Sequence, residues 1–483
     1  MIRAGLLAAA LGGVPMIAGA QTDDDVISKQ YDDGSVYEGT FKDGRQDGIG
    51  TYRLPNGYEY TGEWVAGEIR GKGVARFPNG SVYEGDFAAG KPQGKGKITF
   101  SDGGTYDGDW VDGQMTGQGT ARYANGAVYT GSFKDALHDG QGRMESPGGY
   151  VYEGTWVAGV KEGKGKVTYP DGAVYDGDLV KGQRQGTGTL TMPDGLTYVG
   201  QWADGQMSGT GKLTQANGDV YEGPLVNGQR KGVGKITYAN GDVYEGGFEA
   251  DRQQGKGVFQ GVDGYVYDGD WVAGRREGQA TVTYPDKSVY VGAFKADQAD
   301  GQGKITYADG ATYEGTWKAG VPDGKGRATY ANGLIYEGDF RAAKIEGTGK
   351  MTYPDGYVYE GQWVNGQRQG MGTATYADGT VYKGAFVNGQ REGQGEIVMA
   401  DGFRYVGQWK GGEIDGTGVA TYANGDVYEG SFVAGKRQGQ GVMRYATGQE
   451  TGGTWTEGAL TAPSAPAPAD AAAGGTEADP AGN

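Results

Sequence analysis

The sequence predicts an all-β protein, an elongated single-layer antiparallel sheet of consecutive β-hairpins that stack into a solenoid-like rod. Three observations carry this expectation. Gly supplies 100 of the 483 residues and Tyr 34, against a hydrophobic fraction of 36%. That composition is too poor in aliphatic residues for several globular cores and too rich in Gly for long helices. Tyr recurs every 23 residues from Tyr37 to Tyr428, eighteen times without a slip, and a fixed period of this length marks a repeat architecture in which each unit stacks on its neighbours. Each unit also holds two short alternating stretches bounded by Gly-rich turns, the pattern of a hairpin.

The chain opens with Arg3, an apolar stretch over 4–17 and the small residues Ala18, Gly19 and Ala20, followed by Asp23, Asp24 and Asp25. This is the layout of a secretory signal over 1–20 with cleavage before Gln21, and it predicts a periplasmic or extracellular protein. No later segment approaches the ~20 apolar residues that span a bilayer. The chain has no Cys, so packing rather than disulfides must hold it together in an oxidising compartment. A short lead-in over 21–30 precedes the array of repeats at 31–458. Residues 459–483 form a tail that from Ala462 onward reads Pro, Ala, Gly, Thr and acids, with nothing large and apolar to bury, and disorder is expected there.

Counting from the repeat Tyr as zero, Gly holds +2 throughout, +4 is Phe, Trp or Leu, and Gly holds +11 in every unit and +13 in all but one, where Ala280 stands. Alternate residues of a strand share a face, so Tyr37, Gly39 and Phe41 point one way and Glu38 and Thr40 the other. Gly at +2, +11 and +13 is expected to leave room for a ring lying flat over the backbone, since interior Gly otherwise weakens a strand. Position +20 is Gly except at Lys287 and usually follows Asn or Asp, as in Asn56-Gly57 and Asp171-Gly172. Both residues of that pair tolerate the positive φ of a tight reversal. A finer pattern pairs Trp at +4 with a smaller residue at +15, as in Trp317 and Ala328, and Phe with a larger one, as in Phe340 and Met351. Close packing at fixed volume then predicts that +4 and +15 touch.

The string Tyr152-Glu153-Gly154-Thr155-Trp156 with Gly159, Gly163 and Gly165 resembles the MORN repeat, the membrane occupation and recognition nexus. In-phase copies cover about residues 31–458. The resemblance implies consecutive hairpins in one antiparallel sheet, and scaffolding, dimerisation or membrane-associated assembly rather than catalysis. MORN arrays also accompany plant phosphatidylinositol phosphate kinases, but outside the repeats no segment is long enough for a kinase domain.

The remaining chemistry is sparse. His138 is the only His and Cys is absent, which removes the usual nucleophile and base pairs. His138 reads as a solvated loop residue beside Asp139. The acids at +1, Glu38, Glu84, Asp107 and Glu153 among them, recur along the whole array and read as a solvated face rather than a glycosidase pair. Asn replaces Asp freely in the turns, at Asn79, Asn125 and Asn240, which fits turn geometry better than calcium ligation. No cofactor or metal is expected. A net charge of −17, or −18 without Arg3, argues against nucleic acid and against anionic membranes.

These readings converge on a secreted, non-catalytic scaffold for a protein partner or another copy of itself. A cell-envelope glycan binder with exposed rings is the alternative. The candidate structural or groove residues are Tyr60, Trp64, Tyr106, Trp110, Tyr152, Trp156, Trp202, Trp271, Tyr313, Trp317, Trp363, Trp409, Tyr428 and Trp455.

Overall fold

The computed structural model describes residues 26–464. The expected signal over 1–20 and the tail beyond Ser464 lie outside the described residues. The chain divides into two units, Met1–Gln253 and Gln254–Asn483. Among the described residues every regular element is a strand, as the Gly-rich, period-23 sequence requires.

In the first unit Ile27–Gln30 pairs antiparallel with Val36–Lys42, which pairs with Arg45–Arg53, which pairs with Glu59–Val65, and the alternation of seven- and nine-residue strands continues along the unit, interrupted where one returning strand is split into Gln229–Arg230 and Gly232–Thr237. The lead-in thus contributes a strand of its own. In the second unit Val266–Val272 pairs with Arg275–Thr283, and the series ends with Ala459–Pro463 against Glu450–Thr456. The tail therefore does not begin at 459, because Ala459–Pro463 covers the otherwise open edge of the last full strand and satisfies its backbone groups.

The two turns of each repeat differ in kind. The inner turn at +6 and +7 has both central residues at positive φ, as in Asp43 at 52° and Gly44 at 78°. This is the two-residue reversal whose twist matches that of the strands it joins. At the outer turn only the Gly at +20 is left-handed, as Gly126 is at 84°. Asn125 before it keeps an ordinary backbone, and its side-chain oxygen accepts the Ala127 N–H at 3.0 Å, an Asx turn. The expectation that both residues of the Asn/Asp-Gly pair take positive φ is thus corrected. The Asn and Asp at +19 are selected as side-chain acceptors. Lys287, the exception at +20, still sits at φ 74°.

The interior glycines fall into two groups. Those at +2 and +13 are cross-strand partners, as in Gly154 and Gly165, and the ring of Tyr152 lies over both. A Cβ on Gly165 would sit 2.5 Å from the Tyr152 ring, so ring clearance explains these positions. Gly at +11 has another cause. Gly163 is at φ 68°, where the ladder slips between Gly154 and Trp156, so it forms a β-bulge that an L side chain would strain.

The register also overturns the expected pairing of +4 with +15. Trp317 is opposite Pro322 at +9, and Ala328 is opposite Tyr313. The two are therefore not cross-strand partners. The +15 side chain instead neighbours the next repeat, as Tyr52 does with Trp64 at a ring separation of 5.9 Å. The size alternation in the sequence is genuine, but the register does not set the two positions of one hairpin opposite each other.

Candidate functional site on the aromatic face

Each repeat Tyr covers its paired glycines and is fixed by a hydrogen bond from its hydroxyl to the backbone carbonyl at +3 of its own strand. The bond is present in all eighteen repeats at 2.7–3.2 Å. The +4 ring stands edge-on between two tyrosines. Trp317 lies 5.4 Å from Tyr313 of its own repeat and 5.0 Å from Tyr290 of the preceding one. Edge-to-face pairs of this kind contribute about 0.5–1.5 kcal/mol each beyond burial. Each of the nine Trp indoles also donates to the +13 Gly carbonyl of the preceding repeat at 2.9–3.4 Å, as from Trp317 to Gly303.

This geometry makes the fourteen predicted candidates a core. Tyr60, Tyr106, Tyr152, Tyr313 and Tyr428 are 0–3% exposed. Trp64, Trp110, Trp156, Trp202, Trp271, Trp317, Trp363, Trp409 and Trp455 are 2–7% exposed. They hold the array together and offer no rings to a ligand. A sheet one layer thick hides them because Gly lets each Tyr lie flat and the neighbouring +4 ring closes its edge.

A second row completes the cover, and sequence reasoning missed it. Position +9 shares the aromatic face and carries Lys161, Arg184, Arg230, Arg276, Arg368, Arg391 and Arg437. Arg184, Arg391 and Arg437 lie 4.3–4.4 Å from the centres of Trp202, Trp409 and Trp455 in the following repeats, within cation–π range. Their guanidinium groups also donate to the inner-turn carbonyls of Gly205, Gly412 and Gly458 at 2.6–2.7 Å. The signal was legible as a cation recurring in phase with the Tyr, but the stretch before +11 reads as loop, whereas the returning strand begins at +8. His138 occupies the same position. It lies in the strand Leu137–Glu145, stacked 3.7 Å over Tyr129 and hydrogen-bonded to the Tyr123 hydroxyl at 2.7 Å. Burial lowers its pKa to about 4, so the reading of a solvated loop residue is corrected.

What stays accessible on this face is the row of outer-turn side chains. Met399, Tyr307, Tyr330 and Tyr445 are 37–40% exposed, and Phe403 and Tyr422 stand 5.6 Å apart at 55°. In the second unit an open groove of about 700 Å³ runs among Met399, Phe403, Ile414, Tyr422, Arg437 and Met443. Its carboxylates are engaged in turns: Asp401 accepts the Phe403 N–H at 2.9 Å and Asp426 the Ala446 N–H at 2.9 Å. The +1 acids Glu38, Glu84, Asp107 and Glu153 are exposed on the opposite face.

The model described as the MORN repeat matches eighteen consecutive segments, from 37–57 to 428–450. The chain belongs to the MORN repeat family. A 50-residue stretch is 44% identical to Alsin of Rattus norvegicus, which is 9% of this chain and 3% of Alsin. The chain therefore spans only a small fraction of that curated relative. Among solved structures, the SAS-4 TCP domain of Drosophila melanogaster in complex with a proline-rich motif of Ana2 is 16% identical, covers 32% of this chain and 85% of its own, and has a TM-score of 0.22. The TCP10 domain of Danio rerio CPAP is 16% identical over 47% of this chain and 95% of its own, at 0.21. A streptogramin B lyase is 11% identical over 70% and 91%, at 0.11. No functional inference rests on likenesses this slight.

The MORN tyrosines give the fold a definite alkaline limit. Burial pushes Tyr37, Tyr175, Tyr244 and Tyr290 up to about 12. A pKa raised on folding contributes stability that is complete below the unfolded value near 10 and is lost as pH rises through the folded value. Unfolding between about pH 10 and 12 should therefore coincide with the rise of tyrosinate absorbance. Gradual ionisation of the repeat tyrosines near pH 10 with the sheet intact would show that their hydroxyls are open to solvent.

Proposed function

We propose that this MORN array is a non-catalytic scaffold that holds a protein partner, or a second copy of itself, along the outer-turn edge of its aromatic face. The observation that carries the reading is the division of labour among the rings. The repeat Tyr and Trp are consumed in holding the array together, whereas the outer-turn aromatics and the open groove stay accessible beside a row of half-buried cations. Accessible apolar surface with a polar rim is the ordinary mark of an interaction site. MORN membership supports the scaffold role, and the Ala18-Gly19-Ala20 signal supports export, with a mature chain beginning at Gln21. The glycan alternative relied on exposed repeat rings, and those rings are buried.

The test compares the wild-type protein with a Tyr307→Ser, Tyr330→Ser, Tyr422→Ser variant. Self-association is measured by sedimentation, and partner capture from envelope extract is followed by reconstitution with the purified partner. Purified wall polymer serves as the parallel ligand. The scaffold reading expects association to fall at least about tenfold while the sheet's circular dichroism is unchanged. Binding to wall polymer alone would replace this reading with the glycan one.

A further inference from the structure

In the second unit, position +17 carries Tyr in each of the eight repeats from Tyr284 to Tyr445 except one, where Met399 stands. The corresponding row of the first unit is mixed, with Leu54, Ser146 and Gln215 among its members. None of the eight side chains is buried. Among the described residues the hydroxyls of Tyr307, Tyr330, Tyr376 and Tyr445 have no hydrogen-bonding partner, whereas the repeat tyrosines donate to their own strands. Tyr353, Tyr357 and Tyr376 stand in a run at successive ring separations of 5.1 Å. Rings one repeat apart in this row are thus spaced by about two strands, or 9.6 Å.

An acidic row runs beside the tyrosines. Asp286, Asp309, Asp355, Asp378 and Asp401 at +19 are exposed, and each accepts the N–H two residues on at 2.8–3.0 Å. Among the described residues none of these five carboxylates forms an ion pair. The +9 cations do not neutralise them, since Arg368 and Arg391 are committed to the inner-turn carbonyls of Gly389 and Gly412 at 2.8 and 2.6 Å.

A ligand matched to this edge offers apolar surface and free carbonyls to the Tyr row, cations to the Asp row, and a repeat near 9.6 Å. Polyproline II meets these demands: it turns once in three residues, about 9.3 Å, and makes no internal hydrogen bonds, and its proline rings pack against aromatic walls. A β-strand repeats every two residues, about 6.7 Å, and falls out of step. A helix has already spent its carbonyls on its own backbone.

We propose that the edge from Tyr284 to Tyr445 binds a cationic polyproline II segment of a partner protein, one turn per repeat. Proline rings lie on the +17 tyrosines, and a Lys or Arg in each turn faces the +19 carboxylates. The inference rests on the scaffold reading and names the chemistry of the partner.

The probe is a peptide of four Pro-Pro-Lys triplets, about 37 Å long as polyproline II, titrated into the full chain by calorimetry. Four Gly-Gly-Lys triplets keep the charge without the conformation, and four Pro-Pro-Glu triplets keep the conformation with the opposite charge. Both should bind at least about tenfold more weakly than the Pro-Pro-Lys peptide. Asp355→Asn, Asp378→Asn and Asp401→Asn together preserve the turns, because Asn332 and Asn424 make the same bond at 3.1 Å. That protein should bind the Pro-Pro-Lys peptide at least about tenfold more weakly, and so should a Tyr307→Ser, Tyr330→Ser, Tyr376→Ser protein with unchanged circular dichroism. Equal binding of the Pro-Pro-Lys and Gly-Gly-Lys peptides would reduce the effect to net charge and overturn the proposal, as would affinity indifferent to the Tyr changes. If that result came while the Tyr422-containing variant of the scaffold test still lost its captured partner, the scaffold reading would stand with a partner of other chemistry. Partner capture indifferent to that variant would remove both.

Discussion

Replacing Gly165 with Ala should destabilise its hairpin by about 1–3 kcal/mol, the cost of forcing an extra methyl into a filled site. The added Cβ would lie 2.5 Å from Tyr152 Cε2 and 2.7 Å from its hydroxyl oxygen. That ring cannot move away easily, since its hydroxyl is bonded to the Thr155 carbonyl at 2.8 Å and Trp156 stands against it at 5.2 Å. The repeat that carries Ala280 shows how the conflict is relieved. Its ladder slips earlier, between Gly269 and Asp270, and gains a pair between Asp270 and Glu277 that the repeat of Trp317 lacks. The same shift should appear in the Gly165→Ala protein. Local hydrogen exchange measures the loss, with Gly182→Ala as the reference, because that turn Gly has φ 78° and open space around it. Its cost comes from backbone strain alone, roughly 1–2 kcal/mol. Combining Tyr152→Leu with Gly165→Ala should cost less than the sum of the two single changes, since the smaller side chain vacates the space. Additive losses would mean that the ring does not lie over Gly165.

The larger effect is expected from Trp317→Ala. Truncating a buried Trp costs about 3–5 kcal/mol, and here it also removes the indole bond to Gly303 at 3.1 Å, one of the links between adjacent repeats. Trp317→Phe restores the side chain that alternate repeats carry and should recover most of the loss. The coupling partner is decided by register. Trp317 stands 5.0 Å from Tyr290, so a double-mutant cycle between those two should give an interaction energy of about 0.5–3 kcal/mol. Ala328 is opposite Tyr313, and a cycle between Trp317 and Ala328 should give a distinctly smaller value. Compensation by Trp317→Phe with Ala328→Met, which the size pattern suggests, is therefore not expected. A larger coupling with Ala328 than with Tyr290 would contradict the observed register.

The sequence by itself determined the repeat, its phase and its hairpin unit, because period-2 alternation and in-phase Gly and Tyr depend only on neighbours along the chain. It also marked the polar face correctly, since Glu38, Glu84 and Asp107 needed no partner to be placed in solvent. Tertiary structure decided what depends on register. The bulge at +11 sets three residues of the returning strand against one of its partner, and the strand begins at +8, before the Gly from which its pattern is read. Position +9 therefore reads as loop, which is why its arginines were missed and His138 was read as exposed, while Trp317 was paired with Ala328 on size alone, which does not fix register. Tertiary structure also decided which rings are free. Composition shows that 34 tyrosines must be packed, but only the stacked repeats show that the Tyr at zero is sealed by the +4 ring of the next hairpin, leaving the outer-turn aromatics accessible. Burial here is a property of two adjacent hairpins, and a single 23-residue unit cannot encode which of its rings its neighbour will cover.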